Sequence, residues 1–226
     1  DLAGLTVLVT AGGTREPICP VRFLGNRSSG KQGHALVAEA AARGAQVRCV
    51  TTQPGAAPAG PGIDVTAVDT AAEMAAAVAA QAVDADIVLM AAAVADFRPV
   101  EVATEKIKKG DGPAEIRLEP TVDILAELGR SRSNGQVLVG FAAETRDLRQ
   151  NAAAKLAAKG IDLIVANDVS APQVGFEHDT NAVLVLDADG GAREVPLADK
   201  REVAGVVLDA ALAVHKTNRT GNGDAR

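Results

Sequence analysis

The sequence predicts an α/β fold: a Rossmann-like, mostly parallel sheet with flanking helices, plus an antiparallel hairpin and a long lid-like excursion. Two observations carry this prediction. Apolar runs rich in β-branched residues alternate with alanine-rich segments of helical periodicity along most of the 226 residues. The first apolar run also leads directly into a glycine-rich loop and then a helical segment. We expect one domain over residues 1–216 and a polar, disordered tail over residues 217–226.

The regular elements follow from local patterns. Strands of the parallel sheet are predicted at residues 5–10, 46–51, 87–91, 137–142 and 163–166. Helices are predicted between them at residues 33–43, 71–83 and 148–159. Thr70 and Asp147 stand where side chains cap helix N-termini, and Gly44 and Gly160 stand where helices end. The Pro/Gly/Ala-rich residues 54–62 are a predicted surface loop.

Two regions depart from the alternation. Residues 96–119 are charged and irregular, and we expect a long excursion of the kind that often covers a site. Residues 181–187 and 193–197 flank an Asp-Gly turn, which predicts an antiparallel hairpin. A final helix is predicted over residues 200–215.

Composition argues against several classes of protein. The chain has four Phe and no Tyr or Trp, so it lacks aromatic platforms for stacking single-stranded bases. A net charge of -6 also argues against nucleic acid as a partner. No apolar stretch approaches the roughly 20 residues of a membrane span, and no signal peptide is recognisable. We therefore expect a cytoplasmic protein in which Cys19 and Cys49 are reduced thiols.

The glycine-rich region is the most informative stretch. It comprises Thr10-Ala-Gly-Gly-Thr-Arg-Glu-Pro17 and Phe23-Leu-Gly-Asn-Arg-Ser-Ser-Gly-Lys-Gln-Gly33. A loop between a buried strand and a helix offers unpaired backbone N–H groups to a phosphate, and Gly12 and Gly13 permit a tight turn at the strand end. The pattern favours phosphate binding, with simple turn formation as the alternative.

Two standard nucleotide motifs do not fit this region. Residues 25–31 satisfy G-x-x-x-x-G-K, but Gln32 stands where a P-loop needs Ser or Thr, and the nearest strand has ended at Thr10. The G-x-G-x-x-G fingerprint of dinucleotide-binding folds does not follow the first strand either. Three scattered histidines form no ligand pattern, so the metal ligands stay unassigned.

A second candidate site lies where the third predicted strand ends. The small residues of Ala91-Ala-Ala-Val-Ala-Asp-Phe97 would let a planar ligand approach the backbone, although small residues also serve packing. Asp96 lies just beyond the carboxyl edge of the sheet, where open α/β sheets bind ligands. A carboxylate there could accept ribose hydroxyls or help to hold a metal.

Lysines supply the positive charge in the second half of the chain. Lys155 and Lys159 are four residues apart and therefore project from one helix face. Lys106, Lys108 and Lys109 form a basic run inside the excursion. Each group is either a solvated face or a binding site for anions.

Six motifs follow one another along the chain: Thr10-Ala-Gly-Gly-Thr-Arg-Glu-Pro, Asn26-Arg-Ser-Ser-Gly-Lys, Ala91-Ala-Ala-Val-Ala-Asp, Lys106-Ile-Lys-Lys, Gly140-Phe-Ala-Ala-Glu-Thr and Ala166-Asn-Asp-Val. Together they resemble the phosphopantothenoylcysteine synthetase family, and in particular the synthetase half of bacterial bifunctional coenzyme A biosynthesis proteins. The resemblance runs from about residue 5 to residue 213. Six motifs in one order are far more specific than any one of them.

The resemblance implies a reaction and its partners. It implies a ligase that couples 4'-phosphopantothenate to L-cysteine with CTP and Mg²⁺, through an acyl-cytidylate intermediate, releasing pyrophosphate and CMP. It also implies a homodimer in which the partner subunit helps to build the phosphopantothenate site. In bacteria a flavin-dependent decarboxylase precedes this half, so no FMN is expected on this chain.

The resemblance also implies roles for individual residues. Asn26 would handle the acyl-cytidylate through its amide, and Lys106 would lie close to the cytosine and act in catalysis. Arg22 is an expected anion-binding or interface residue. The remaining nucleotide contacts implied are Gly12, Gly13, Ser28, Met90, Ala91, Ala92, Asp96, Pro120, Thr121, Val122, Asp123, Phe141, Lys155 and Lys159.

Two other functions stay open at this point. A non-catalytic nucleotide-binding module would keep the glycine-rich loop but would not need Asp96, Lys106, Lys155 and Lys159 together. An NAD(P)-dependent reductase on a similar sheet is disfavoured, because the chain has no Tyr for the usual Tyr-x-x-x-Lys acid.

Overall fold

An eight-stranded sheet forms the centre of the molecule in the computed structural model. The structure describes residues 1–109, 115–133, 135–144, 146–168 and 178–221. Its strands are β1 (Thr6–Ala11), β2 (Arg15–Cys19), β3 (Arg22–Gly25), β4 (Gln46–Thr51), β5 (Ile63–Ala67), β6 (Ile87–Met90), β7 (Phe97–Pro99), β8 (Leu118–Pro120), β9 (Val137–Glu144), β10 (Leu163–Asp168), β11 (Thr180–Asp187) and β12 (Ala192–Asp199). Its α-helices are α1 (Lys31–Ala42), α2 (Ala71–Gln81), α3 (Ile124–Ser131), α4 (Leu148–Lys159) and α5 (Lys200–Gly221).

The strand order of the main sheet is β12-β11-β10-β9-β6-β1-β4-β5. The six strands β10, β9, β6, β1, β4 and β5 are parallel to one another. Strands β11 and β12 add to the edge at β10 and pair antiparallel. From β1 the chain builds outward through β4 and β5, and it then returns to the other side of β1 through β6, β9 and β10. The order therefore reverses between β1 and β6, which is where doubly wound sheets bind ligands.

Two helical layers cover the sheet. Successive residues of a strand point to opposite faces of the sheet, as Val7 and Leu8 of β1 show. Helices α1 and α5 pack on the face that carries Val7, and α2, α3 and α4 contribute to the core on the face that carries Leu8. Because both faces are buried, the central strands are continuous apolar runs, which made them recognisable in the sequence.

Close packing brings α1 against β1. A Cβ at Gly33 would lie 2.6 Å from the Cβ of Ala11, so only glycine fits between helix and strand. This contact holds the N-terminus of α1 at the carboxyl end of β1. Gly12, which follows β1, has a φ of +89°, as the predicted tight turn requires.

Helix starts differ in how they are capped. Thr70 and Glu73 form the reciprocal capping box of α2, which confirms the predicted cap. The predicted cap at Asp147 is wrong. Its φ is +47°, and its side chain makes no capping hydrogen bond to α4. The left-handed backbone turns the side chain away from the extended geometry from which an N-cap residue accepts.

The excursion contains a short ribbon. Strands β7 and β8 pair antiparallel where residues 96–119 leave and rejoin the fold, while residues 110–114 lie outside the described part. A second ribbon, β2 with β3, occupies the first part of the glycine-rich region. The amide N–H of Ala103 donates to the carbonyl of Ile18 at 3.0 Å, so the excursion rests on this ribbon.

All five predicted parallel strands and the predicted antiparallel hairpin are confirmed, with ends that differ by a few residues. The sequence analysis did not anticipate β5 or the two ribbons. Helix α5 also continues beyond the predicted end at His215 to Gly221, where hydroxyls of Thr217 and Thr220 donate to helix carbonyls. Residues 222–226 of the predicted tail lie outside the described residues. Within the described ranges, none of the helices has the length and apolar character that a membrane span needs.

Candidate active site

A cavity of about 590 Å³ opens over the carboxyl ends of the central strands. Its walls come from the segment between β3 and α1, the segment that follows β6, the last part of β9, α4, and the starts of α1, α3 and α5. It thus lies at the reversal point of the strand order, the position expected for a ligand in a doubly wound sheet.

Threonine side chains fix the backbone that forms one wall, residues 91–96. Thr10 Oγ1 accepts from the amide N–H of Ala92 at 3.0 Å, and Thr14 Oγ1 accepts from that of Ala95 at 2.9 Å. The amide of Ala93 donates to the carbonyl of Gly12 at 2.8 Å. The amide groups of Ala92, Ala93 and Ala95 are therefore used within the protein.

Thr121 makes two hydrogen bonds to the backbone of the same wall. Its hydroxyl donates to the carbonyl of Ala95 at 2.5 Å, and its amide donates to the carbonyl of Asp96 at 2.9 Å. The Asp96 side chain is exposed at the rim of the cavity. The residues just before α3 thus hold the position of this carboxylate.

Asn26 reaches the wall from the glycine-rich region. Its Nδ2 donates to the carbonyl of Val94 at 3.1 Å and lies 3.5 Å from that of Ala93. Ser28 accepts from the amide of Gly30 at 3.4 Å at the entry to α1. The region thus lines the cavity with Asn26 and Ser28, and not through Gly12 and Gly13.

Lys155 and Lys159 both line the cavity from α4, so they lie on one helix face as their four-residue spacing predicted. Each is neutralised by a carboxylate. Lys155 Nζ lies 2.6 Å from Glu144 Oε1, and Lys159 Nζ lies 3.2 Å from Asp123 Oδ1. The α4 end of the cavity therefore carries little uncompensated positive charge.

Two lysines and two amide side chains line the opposite end of the cavity. Lys31 and Gln32 of α1 lie beside Lys200, the first residue of α5, and all three line the cavity. Gln32 Nε2 donates to the backbone carbonyl of Lys200 at 3.1 Å, and Asn181 Nδ2 lies 3.4 Å from Gln32 Oε1. One carboxylate, Asp179, pairs with Lys31 at 2.7 Å.

Most residues predicted for the site meet in this cavity. Those that line it are Asn26, Ser28, Met90, Ala91, Ala92, Asp96, Thr121, Val122, Asp123, Phe141, Lys155 and Lys159. Gly12, Gly13, Arg22, Lys106 and Pro120 are not among the lining residues. The sequence analysis missed Lys31, Gln32, Asn167, Asn181 and Lys200, although Lys31 ends the G-K pattern and Asn167 belongs to the Ala-Asn-Asp-Val motif.

Lys106 lies in the excursion and is exposed. Its neighbour Ile107 is tied to the β2–β3 ribbon, because Arg22 Nη1 donates to the carbonyl of Ile107 at 2.9 Å. Arg22 therefore connects the loop that carries Asn26 to the segment that carries Lys106.

The two cysteines are free and buried. Burial raises the pKa of Cys49 to about 11, so its thiol is inert. At Cys19, hydrogen bonding from the backbone N–H of Val21 lowers the pKa of the thiol below its usual range. No cluster of three or more His, Cys, Asp or Glu side chains suited to a metal occurs among the residues that the structure describes.

The fold and the cavity define a class: a Rossmann-like α/β domain with a ligand site at its topological switch point. Comparison with known families gives the particular assignment. The chain belongs to the family described as DNA/pantothenate metabolism flavoprotein, C-terminal domain, whose model matches residues 2–214.

Individual relatives agree with this assignment. The chain is 47% identical over 220 residues to the coenzyme A biosynthesis bifunctional protein CoaBC of Mycobacterium tuberculosis. The aligned region covers 93% of this chain and 52% of that protein. It is 46% identical over 216 residues to the Bacillus subtilis protein of the same name, covering 95% of this chain and 53% of the relative. The chain thus spans about half the length of these relatives.

A solved structure supports the fold. The crystal structure of the C-terminal domain of a CoaBC protein superposes with a TM-score of 0.78 at 37% sequence identity, over 97% of this chain and 98% of that one. The eight-stranded sheet and its flanking helices are therefore the fold of this family.

Proposed function

We propose that this chain is a CTP-dependent ligase that joins 4'-phosphopantothenate to L-cysteine. The observation that carries the proposal is the cavity of this chain, which belongs to the family and has the cavity where the strand order of the sheet reverses. Asn26, Asp96, Lys155 and Lys159, which the family resemblance assigns to the site from distant parts of the sequence, converge on it.

The reaction needs a nucleotide because a carboxylate is a poor electrophile. In the first step the pantothenate carboxylate oxygen attacks the α-phosphorus of CTP, the bond to the β-phosphate oxygen breaks, and pyrophosphate departs with the electron pair. In the second step the cysteine amine attacks the acyl carbon of the acyl-cytidylate. The amide bond forms, CMP leaves, and the amine loses a proton.

The wall at residues 91–96 is suited to select cytosine. Thr10, Gly12 and Thr14 occupy the amide groups of Ala92, Ala93 and Ala95, so a base that lies against this wall is proposed to meet the backbone carbonyls of Ala91 and Ala92. Cytosine presents an exocyclic amino donor, whereas uracil presents a carbonyl oxygen at the equivalent position. Two facing acceptors would leave a desolvated oxygen without a partner, so UTP is disfavoured.

Asn26 is placed to act on the acyl group. Its Nδ2 is engaged by the carbonyl of Val94, which leaves Oδ1 to accept a hydrogen bond from the attacking amine. The donated hydrogen bond orients the amide before the reactants arrive. Asn26 is therefore proposed as the catalytic residue of the second step.

Lys155 and Lys159 are proposed to contact the nucleotide from α4, where Phe141 forms an apolar neighbour. Their ion pairs with Glu144 and Asp123 hold both ammonium groups in place. Asp96 is proposed to accept from the ribose. Since no multi-carboxylate cluster exists in the described ranges, Mg²⁺ would be held mainly by triphosphate oxygens and water.

The ribbons supply a proposed dimer surface. Strands β2, β3, β7 and β8 expose apolar side chains that a single protomer leaves to solvent, among them Phe23 at 58% and Phe97 at 49% exposure. We propose a homodimer through this surface, with Arg22 and Lys106 meeting substrate beside the partner subunit. We also propose a cytoplasmic protein, natively fused to a flavin-dependent decarboxylase as in the bifunctional relatives.

One assay tests the proposal: pyrophosphate release is measured with 4'-phosphopantothenate and CTP, ATP or UTP, with and without cysteine. We expect steady release with CTP and cysteine, and a single burst without cysteine. CTP binding without any release would instead indicate a non-catalytic module. Oxidation of NAD(P)H without pyrophosphate release would indicate the reductase alternative.

A further inference from the structure

The short helix α3 contacts Lys159 of α4 at two places. The first contact is steric, because a Cβ added to Gly129 of α3 would lie 1.9 Å from the backbone carbonyl oxygen of Lys159. The second contact is electrostatic. Lys159 Nζ lies 3.2 Å from Oδ1 of Asp123, the N-cap residue of α3. Gly129 itself is not among the residues that line the cavity.

The steric contact requires glycine at position 129. Glycine in the interior of a helix is less favourable than alanine, and α3 has only eight residues. A separation of 1.9 Å lies far inside the contact distance of a carbon and an oxygen atom. The oxygen belongs to the backbone, so a side-chain rotation cannot relieve the overlap. Gly129 therefore allows α3 and the end of α4 to approach more closely than a residue with a side chain would.

Other contacts hold α3 on the sheet. At its first turn Leu125 packs on Gly140 of β9, where an added Cβ would lie 2.6 Å from Leu125 Cδ2. At its other end, Arg132 Nη1 donates to both carboxylate oxygens of Asp162, at 2.8 and 2.7 Å. Asp162 Oδ2 also accepts from the amide N–H of Leu138 in β9 at 2.8 Å. Because α3 is held at both ends, it is a fixed support for the end of α4.

The spacing of the two contacts suits the length of a lysine side chain. Asp123 and Gly129 are six positions apart in the sequence, which corresponds to about 9 Å along a helix. The carbonyl of Lys159 meets α3 at one end of this span, and its ammonium group meets α3 at the other. Lys159 lines the cavity. The position of its ammonium group there thus depends on how closely α4 approaches α3.

Lys155, which lines the cavity from the preceding turn of α4, is held differently. Its ion pair is with Glu144, the last residue of β9, and its side chain is 47% exposed. The Lys159 side chain is only 28% exposed. A displacement of the last turn of α4 would therefore move Lys159 more than Lys155.

We propose that Gly129 is a positioning residue: by seating the end of α4 against α3, it sets where the Lys159 ammonium group stands in the cavity, and thereby the affinity for the nucleotide. This inference rests on the proposed ligase function, in which Lys159 contacts the nucleotide. Gly129 acts only through Lys159. A Cβ at position 129 forces the two helices apart and displaces Lys159, while every side chain that lines the cavity keeps its chemistry.

The test is a double-mutant cycle on CTP binding, measured by calorimetric titration of the full chain. Lys159→Met removes the ammonium group and should weaken CTP binding by about 10- to 100-fold, and Gly129→Ala should weaken it by about tenfold. In the Lys159→Met background, Gly129→Ala should change the affinity by less than about twofold, because the group that it displaces is already absent. A general distortion of the cavity would weaken binding by the same factor in both backgrounds.

Gly205→Ala is the matched control. Gly205 is also a helical glycine, in α5, and nothing lies within 4 Å of its added Cβ. This variant should leave CTP affinity unchanged. Urea unfolding shows whether each variant is folded. If Gly129→Ala does not fold, Arg132→Gln releases the end of α3 from Asp162 and should weaken CTP binding by about threefold, again only when Lys159 is present.

The outcomes separate this inference from the proposed function. Unchanged CTP affinity in the folded variants overturns the role of Gly129, as does a loss of equal size with and without Lys159. CTP binding that depends on Gly129 through Lys159, without pyrophosphate release, retains the positioning role and rejects the ligase. Pyrophosphate release with a KM for CTP that is indifferent to Gly129→Ala retains the ligase and rejects the positioning role.

Discussion

The hydroxyl of Thr10, the last residue but one of β1, accepts a hydrogen bond from the amide N–H of Ala92 at 3.0 Å. This bond joins the end of β1 to the segment that follows the neighbouring strand β6, and it keeps the Ala92 N–H from donating to a bound base. It makes the proposed choice between cytosine and uracil depend on a threonine that lies behind the wall.

Replacing Thr10 by Val tests this dependence. The change keeps the shape of the side chain but leaves the Ala92 N–H without an acceptor, which costs about 1–3 kcal/mol. The amide is then free to reach a uracil oxygen, so we expect the kcat/KM preference for CTP over UTP to fall by about tenfold. The control is Thr66→Val on the distant strand β5. It removes a hydrogen bond that Thr66 accepts from Gln81, and it should leave the preference for CTP intact. An unchanged ratio in Thr10→Val would reject the acceptor wall.

Asn26→Asp should separate the two half-reactions. A carboxylate would face the carbonyl oxygens of Ala93 and Val94, which repel it, so the side chain loses its orientation towards the acyl group. We expect the amide-forming step to slow more than the activation step, and the acyl-cytidylate to accumulate. Rapid-quench trapping measures the intermediate. Equal slowing of both steps, with no accumulation, would contradict the role of Asn26.

The stability of the protein should depend on pH through Lys200. Burial lowers the pKa of Lys200 from 10.5 to about 8, with Lys31 acting in the same direction and Asp179 opposing it. Between these values the unfolded chain binds more protons than the folded chain, so stability rises with pH from about 8 to about 10.5. The gain is at most about 3 kcal/mol. Urea unfolding at fixed pH values measures it, and Lys200→Met should abolish this part of the rise.

Gly33→Ala should destabilise the fold. The new Cβ would lie 2.6 Å from Ala11 Cβ and 2.8 Å from the carbonyl oxygen of Thr10, so α1 must move away from β1. Overpacking of this kind costs about 1–3 kcal/mol. Gly55→Ala is the control, because nothing lies within 4 Å of its added Cβ. Urea denaturation curves that coincide for the two variants would show that the helix adjusts without cost.

The proposed dimer predicts a change of mass. Phe23→Asp places a charge on the apolar surface of the ribbons and should shift the protein to monomers in analytical ultracentrifugation. Val83→Asp is the control, since Val83 is 70% exposed at the end of α2 and away from the ribbons. If the Phe23 variant sediments as the unmodified chain does, the interface lies elsewhere.

The parallel strands could be predicted because each is buried on both faces. The apolar runs of β1, β6 and β9 have no polar alternation to confuse with another element. Strand β5 was missed because it is an edge strand with exposed residues, so its burial depends on pairing with β4 and not on its own pattern. The β2–β3 ribbon was missed because its strands are short and contain Pro17 and Gly25, in a region that also suits a phosphate loop.

The residues of the site likewise fall into those that the sequence could assign and those that it missed. Asp96 follows a predicted strand end, and Asn26 stands in a motif that resembles the family's, so both could be assigned to the site from the sequence. Lys200 and Asn181 have no local motif, and their chemistry arises only when the antiparallel strands bring them against α1. Asp147 shows the reverse case, because a residue suited to a cap adopts a left-handed backbone that the sequence pattern did not reveal.

The threonine-fastened wall has a consequence for inhibitor discovery. Since Thr10, Thr14 and Thr121 hold residues 91–96 through the protein's own hydrogen bonds, the backbone of this wall is fixed before a ligand binds. Flat heterocycles that carry an amidine or aminopyrimidine edge would pair with the carbonyls proposed to meet cytosine with little conformational adjustment. A fragment screen weighted towards such scaffolds should therefore yield its best starting points at this wall.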